Sequence, residues 1–284
     1  MTMTTDSLRL DSPAKLNLML HIVGRRTDGY HDLQTVFQFI DLSDELSFSI
    51  NPRGAIRRLA GNESIDPEQD LVIRGARLLQ QHFEVATGVD IRIRKRIPMG
   101  GGLGGGSSNA ATTLMALNRL WKLGLDNLQL RQLGLELGAD VPVFIFDHSA
   151  WAEGIGDRLT AVELPEPWYL VIHPGIFVST AQIFASKDLT RDCHPSTIRA
   201  FLGGDGVNVC EPVACRLYPG IQRAIDWLND RSPARMTGTG ACVFAAFETR
   251  AAATDALGQL PPEWTGFVTR GLNKNPVTQI CCDR

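Results

Sequence analysis

The chain has 284 residues, 44% of them hydrophobic and 21% charged, with a formal net charge of −3. That length predicts about two domains and a substantial core, and the charge excludes a nucleic-acid binder held mainly by phosphate electrostatics. There is no apolar run of transmembrane length and no signal-peptide core in 1–11. The six cysteines show neither CxxC nor zinc spacing, so the expectation is a cytoplasmic protein with reduced thiols and no membrane or nucleic-acid partner.

The first element is a strand over 14–22. Leu16, Leu18, Leu20 and Ile22 share one face, and Lys15, Asn17, Met19 and His21 the other. Burying the leucines would hold Lys15 and Asn17 rigidly. A charged turn over 24–29 leads to Tyr30-His31, and 35–42 and 45–50 read as a hairpin joined by Ser43-Asp44. Residues 51–66 are polar and read as loop. Val72, Ala76, Leu79 and Phe83 mark a helix with Pro67 near its start, and period two returns over 89–93. The basic run Arg92, Arg94, Lys95 and Arg96 reads as a solvated strand face, except that Lys95 points to the other side.

Next comes Ile97-Pro98-Met99-Gly100-Gly101-Gly102-Leu103-Gly104-Gly105-Gly106-Ser107-Ser108-Asn109, with six glycines in seven positions. Nearly bare of Cβ atoms, it can take φ > 0 and approach a ligand closely. Ala110, Leu114, Leu117 and Trp121 then recur at helical spacing, with Leu120 widening the stripe. Several N–H groups and a partial positive charge therefore converge on one place, an anion site that suits phosphate. A flexible linker fits poorly between an apolar strand and an amphipathic helix.

The loop alone leaves several owners open. Gly100, Gly102 and Gly105 satisfy the dinucleotide pattern, with Asp126 downstream, but 121–125 is too short for the second strand of that fold. Residues 101–108 approach a P-loop, yet Ser107 stands where its lysine belongs. Triphosphate charge would then be met by backbone dipoles, a metal ion and groups from elsewhere. The protein-kinase loop needs HRD and DFG partners that the chain lacks.

Residues 128–137 read as a short helix closed by Gly138 in a left-handed cap, and 139–146 as a strand whose apolar body starts just after Asp140. Pro165 and Pro167 mark a domain boundary near 155–167. The second half offers strands over 168–173, 242–247 and 264–270. Its helices are expected to start at Ser179-Thr180 and to fall at 209–218, 221–229 and 251–260. Cys281 and Cys282 fall in a polar tail. Without regular βαβ alternation, both halves are expected to be α+β.

Three separated stretches together resemble the GHMP small-molecule kinases: Pro13-Ala14-Lys15-Leu16-Asn17-Leu18, the stretch from Pro98 to Ala110, and Thr237-Gly238-Thr239-Gly240-Ala241-Cys242. The resemblance implies a two-domain fold, a ribosomal-protein-S5-like domain over 1–160 and a ferredoxin-like domain over 161–284, with the active site between them. It implies transfer of the γ-phosphoryl of ATP, with Mg²⁺, to an alcohol. Asp28-Gly29-Tyr30-His31, Gly138-Ala139-Asp140-Val141-Pro142 and Ala152-Glu153-Gly154-Ile155-Gly156 narrow the likeness. They point to a member whose acceptor is the 2-hydroxyl of cytidine diphosphate methylerythritol, in isoprenoid precursor synthesis by the non-mevalonate pathway. Homoserine- or mevalonate-type kinases and a non-catalytic nucleotide-binding relative are the alternatives.

Carried over residue by residue, the match makes Asp140 the general base and Lys15 its partner beside the transferring phosphoryl. Lys95 and the residues from Pro98 to Asn109 would surround the ATP phosphates. Gly238, Thr239 and Gly240 would line the acceptor side of the cleft. Tyr30 and His31 match positions that hold cytosine, with Phe184 on the ring's other face and Asn17, Ile155 and Thr180 nearby. No protein ligand of the metal is implied, and a monomer or weak homodimer is expected. Gln69-Asp70-Leu71 departs from the family's Asp-Asn-Leu and replaces an amide by an acceptor-only carboxylate, which would alter any nucleotide contact there.

Overall fold

The computed structural model describes residues 6–27, 29, 31–61 and 65–282. In chain order its elements are β1 (Ser7–Arg25), β2 (His31–Asn51), β3 (Ile56–Ala60), α1 (Leu71–His82), β4 (Gly88–Arg94), α2 (Gly105–Leu120), α3 (Asn127–Leu137), α4 (Val141–Phe146), β5 (Ala150–Gly154) and β6 (Arg158–Ala161). There follow β7 (Trp168–His173), α5 (Thr180–Ala185), α6 (Ile198–Leu202), α7 (Glu211–Leu217), α8 (Pro219–Asn229), β8 (Ala234–Met236), β9 (Val243–Phe247), α9 (Arg250–Leu257), β10 (Thr265–Leu272) and α10 (Pro276–Cys282). Both halves mix strands and helices, as expected.

The long strand β2 is the spine. One edge pairs antiparallel with β1 from Ser7↔Ser49 to Arg25↔His31. The other edge is divided among β5 at Leu33–Phe37, β10 at Phe39 and Ile40, and β4 at Glu45–Asn51. The expected hairpin at Ser43-Asp44 is therefore not a hairpin. β1 pairs on both sides of that point, and the register jumps from Pro13↔Ser43 to Ala14↔Ile40, so Asp41 and Leu42 form a bulge that bends one continuous strand. A second register shift, between Asn17 and Met19, breaks the alternation of β1. Met19 is buried like Leu16 and Leu20 while Leu18 is only partly buried, and Lys15 and Asn17 are also almost wholly enclosed.

Three other expectations change. Residues 141–146 form helix α4, not a strand; Val141 to Ile145 are all buried, so no period distinguishes the two, and Pro142 is tolerated in a first helical turn. Gly138 follows α3 with extended backbone (φ 171, ψ 153), not a left-handed cap. The polar stretch before α1 contains β3, a strand parallel to β4. Burial on a single side and two arginines hid it.

Helix α2 is the hub of the first half. Ser108 to Leu117 are all buried, and the helix is packed by α1, α3, α4, β1, β2 and α10. Fully enclosed leucines such as Leu114 and Leu117 each stabilise the fold by about 1.5–3 kcal/mol. The second half packs α5, α7 and α8 over β7, β9 and β8, a core that Leu20 and Ile22 of β1 join. Backbone bonds from Leu20 to Val207 and from Val209 to Leu20, both 3.0 Å, tie β1 to this half. The sheet is continuous through β10, and α10 returns to the first half, where Val277 is buried and Cys281 packs against its core. The stretch read as a polar tail is thus part of that core's cover.

Candidate active site

The glycine loop runs from β4 into α2, with Gly100, Gly102 and Gly104 at φ +69°, +74° and +72°. Glycine is required here by space as well as by backbone. A Cβ on Gly102 would lie 2.3 Å from the Thr237 carbonyl oxygen, and one on Gly104 would lie 2.9 Å from Phe144 Cζ and 3.0 Å from Lys15 Cε. The loop is stitched down on both sides: Lys15 N–H donates to Leu103 O (3.0 Å), and Cys242 N–H to Gly101 O (3.1 Å). Gly104 caps α2 without any side-chain bond. The first-turn N–H groups, at the positive end of a sixteen-residue helix, are left to an anion.

Two spaces flank the loop. A cleft of about 360 Å³ is lined by Lys15, Asn17, Phe37, Asp140, Thr180 and Gly238, among others, and also by Ile155, Phe184 and Thr239. A groove of about 640 Å³ is lined by Lys95, Pro98, Met99, the loop, Ile65, Leu71 and Phe177. Gly102, Gly104 and Ser107 border both. Something held in one space can therefore meet something held in the other across this rim.

Lys15 sits at that meeting point with only 3% of its side chain exposed. Its ammonium donates to Asn17 Oδ1 (2.5 Å) and Gly102 O (3.0 Å), stands 3.3 Å from the Asp140 carboxylate, and lies 5.3 Å over the Phe37 ring. A buried ammonium is tolerable only with such a set of partners. Asp140 is 40% exposed at the head of α4, where its side chain caps nothing. It is thus a carboxylate facing the cleft with a cation behind it. Asn17 is fixed in turn by its Nδ2–H to Thr35 Oγ1 (2.8 Å) and by Thr237 Oγ1, which accepts from the Asn17 backbone N–H (2.9 Å).

Phe184, which lines the cleft, stacks its ring on that of His31, centroids 5.3 Å apart and planes 27° from parallel. Arg191 Nε–H donates to His31 Nε2 (3.3 Å). Burial first, then the Arg191 and Arg25 guanidiniums, hold the His31 imidazole below its ordinary pKa. Thr180 and Thr239, both of the second half, share a hydroxyl–hydroxyl bond of 2.9 Å and line the cleft together. Tyr30, expected beside them, lies outside the described residues.

Several of the expected site residues are committed to other partners. Ser108 is buried, its hydroxyl donating to Pro13 O (2.6 Å). Asn109 is buried and donates to Asp44 Oδ2 (2.9 Å). Lys95 borders the groove, but its ammonium is paired with Asp44. Gly240, expected on the acceptor side, does not line the cleft beside Gly238 and Thr239; a Cβ there would meet Met236, Ile221 and Val178 of the second core. Asp70 caps α1 through Val72 N–H (2.9 Å) and pairs with Arg58, so its carboxylate is built into the fold.

The sequence reading missed Asp44, Phe37, Phe177 and Arg191. Asp44 resembled a turn residue, and Phe37 is one apolar residue in an apolar strand. Phe177 and Arg191 stand in irregular stretches where no period singles them out. Among the described residues no group of three or more His, Cys, Asp or Glu could hold a metal ion, and no helix is long and apolar enough to cross a membrane.

Comparison with known proteins places this geometry. Residues 70–148 match the GHMP kinases N terminal domain, and residues 194–264 match GHMP kinases C terminal. The chain is 57% identical over 262 residues to the 4-diphosphocytidyl-2-C-methyl-D-erythritol kinase of Nitrosococcus oceani, covering 92% of this chain and 94% of that one. It superimposes with a TM-score of 0.80 on a crystal structure of 4-(cytidine 5'-diphospho)-2C-methyl-D-erythritol kinase, at 31% identity over 93% of this chain and 99% of the other. The mevalonate kinase of Methanococcus jannaschii shares the fold, with a TM-score of 0.72 at 16% identity over 95% and 99% of the two chains.

Proposed function

The chain belongs to the GHMP kinases, and we propose that within this family it transfers the γ-phosphoryl group of ATP to the 2-hydroxyl of 4-diphosphocytidyl-2-C-methyl-D-erythritol, giving the 2-phosphate and ADP in isoprenoid precursor synthesis by the non-mevalonate pathway. The observation that carries this reading is 57% identity across 92% of the chain to a relative of that name. The Lys15–Asp140 pair, standing where the two spaces meet, supports it.

In this reading the adenosine end of ATP occupies the larger groove and its phosphates lie along the loop, under the N–H groups that open α2. The acceptor lies in the smaller cleft with its cytidyl end toward His31 and Phe184. Asp140 takes the proton of the attacking hydroxyl, a contribution typically worth 10²–10⁴-fold. The Lys15 ammonium, held by Asn17 and Gly102, offers its charge to the transferring phosphoryl, where positioning and electrostatics do most of the catalysis. Mg²⁺, when bound, would neutralise phosphate charge. The Ser107 hydroxyl and the Asp140 carboxylate are the oxygens on this wall that could hold it, with phosphate and water completing its shell.

A base-bearing acceptor is favoured over mevalonate or homoserine by the aromatic pair of Phe184, which lines the cleft, and His31. The likeness to mevalonate kinase, at 16% identity, speaks for the fold alone. A non-catalytic relative would have no use for both Lys15 and Asp140. We further take 1–160 and 161–284 as the two domains, and the protein as a cytoplasmic monomer or weak homodimer. The test is coupled ADP release with purified protein. Turnover is expected with the cytidyl substrate and not with mevalonate or homoserine; the opposite preference would refute the assignment.

A further inference from the structure

Arg191 lies beyond α5, outside the machinery assigned above, yet its guanidinium binds the backbone of Phe184, which lines the acceptor cleft, and reaches His31, whose ring stacks on Phe184. Nη1–H donates to Leu189 O (3.0 Å), Nη2–H to Phe184 O and Ser186 O (2.7 Å each), and Nε–H to His31 Nε2 (3.3 Å). The carbonyls that close a helix have no partners within it and carry partial negative charge, so a guanidinium is well suited to them. Here the same guanidinium also reaches across to the first residue of β2. One side chain therefore holds the backbone that carries Phe184 and the ring that stacks on Phe184.

The contact with His31 has a chemical consequence. Arginine offers only donors, so Nε2 of His31 must be an acceptor, and the ring's proton must sit on Nδ1. We infer that Arg191 is the positioning residue of the aromatic pair: it fixes the spacing of His31 and Phe184 and holds His31 as the neutral Nδ1–H tautomer, the form in which this ring would meet the base of the acceptor. This rests on the proposed function insofar as the base is concerned. The contact and the tautomer stand on geometry alone. Lysine cannot replace four N–H bonds made from one planar fork, so Arg191→Lys is not a conservative change here.

The experiment combines ¹⁵N-histidine NMR of the full chain with steady-state kinetics. In the wild type, the resonance absent from His31→Gln should show the Nδ1–H tautomer with unprotonated Nε2, and that signature should be lost in Arg191→Gln and Arg191→Lys. Both Arg191 variants should raise the KM for the cytidyl substrate roughly tenfold or more, the scale of losing a charge-assisted bond, and raise the KM for ATP far less. Weaker binding of CDP by titration calorimetry should match. An Nε2–H signal for wild-type His31, or an equal rise in both KM values, would overturn the inference. Absence of any turnover of the cytidyl substrate by the wild type would remove the proposed function instead, and the tautomer and the CDP titration would still decide the role of Arg191.

Discussion

Lys15 of β1 and Asp140 at the head of α4 meet with 3.3 Å between ammonium and carboxylate, although one is buried and the other 40% exposed. The asymmetry fits a division of labour. The lysine is locked by Asn17 and Gly102, while the aspartate keeps an open face toward the cleft. Asp140→Asn keeps the shape and removes the base. Its turnover should fall by about 10²–10⁴-fold with KM values for both substrates little changed. Stopped-flow or coupled-assay kinetics check this, and near wild-type turnover would sink the base assignment.

Gly104 separates steric from conformational cost. At φ +72° a Cβ there would press on Phe144 and on the Lys15 stem, whereas Gly124, at φ +70°, has open space around it. Gly124→Ala should cost only the left-handed backbone penalty, about 1 kcal/mol. Gly104→Ala should cost about 1–3 kcal/mol more through overpacking, and should also lower kcat by displacing Lys15. Urea unfolding with parallel kinetics measures both, and equal costs at the two sites would show that the loop does not press on Lys15.

Much of this site was readable from residue type and order because the chemistry constrains it locally. A glycine run before a helix leaves few alternatives to an anion site, and Lys15, Asp140, Thr180 and Phe184 do line one cleft. What could not be read is what tertiary pairing decides. Ser43-Asp44 has turn chemistry, yet β1 pairs past it and makes it the middle of a strand. Residues 141–146 are buried on every side, so period carries no information and a helix was read as a strand. Ser108 and Asn109 continue the phosphate motif in sequence, but one further turn of α2 carries them into the core.

Asp44 offers a measure of how firmly the loop's entrance is anchored. Its carboxylate is wholly buried and accepts from Arg96 N–H (2.7 Å), Ile97 N–H (2.9 Å), Asn109 Nδ2–H (2.9 Å) and the Lys95 ammonium. Asp44→Ala would leave a cation and three donors without their acceptor, an uncompensated set that typically costs about 3–5 kcal/mol. Denaturant unfolding should show a loss of that order, with a raised KM for ATP in whatever remains folded. A loss under about 1 kcal/mol would mean that the entrance is held by other contacts.

The last prediction concerns pH. Burial, then Arg191 and Arg25, hold the folded-state pKa of His31 below its ordinary 6.5, so folding favours the neutral ring. The contribution of this group to stability is present above about pH 6.5 and is lost as pH falls through the lower folded value. Protonation also puts a proton on Nε2, facing the Arg191 guanidinium, and breaks the bond between them. The KM for the cytidyl substrate should therefore be flat from neutral pH down to 6.5 and rise only at more acid pH, while the KM for ATP stays level. His21 and His173 are also held low by burial, so global stability should decline in the same direction. His31→Gln separates the two effects. In that variant the acid rise in KM should vanish while the stability loss from His21 and His173 persists. If the acid limb of KM survives the substitution, the pH response belongs to another group, and the neutral His31–Arg191 contact does not govern acceptor binding.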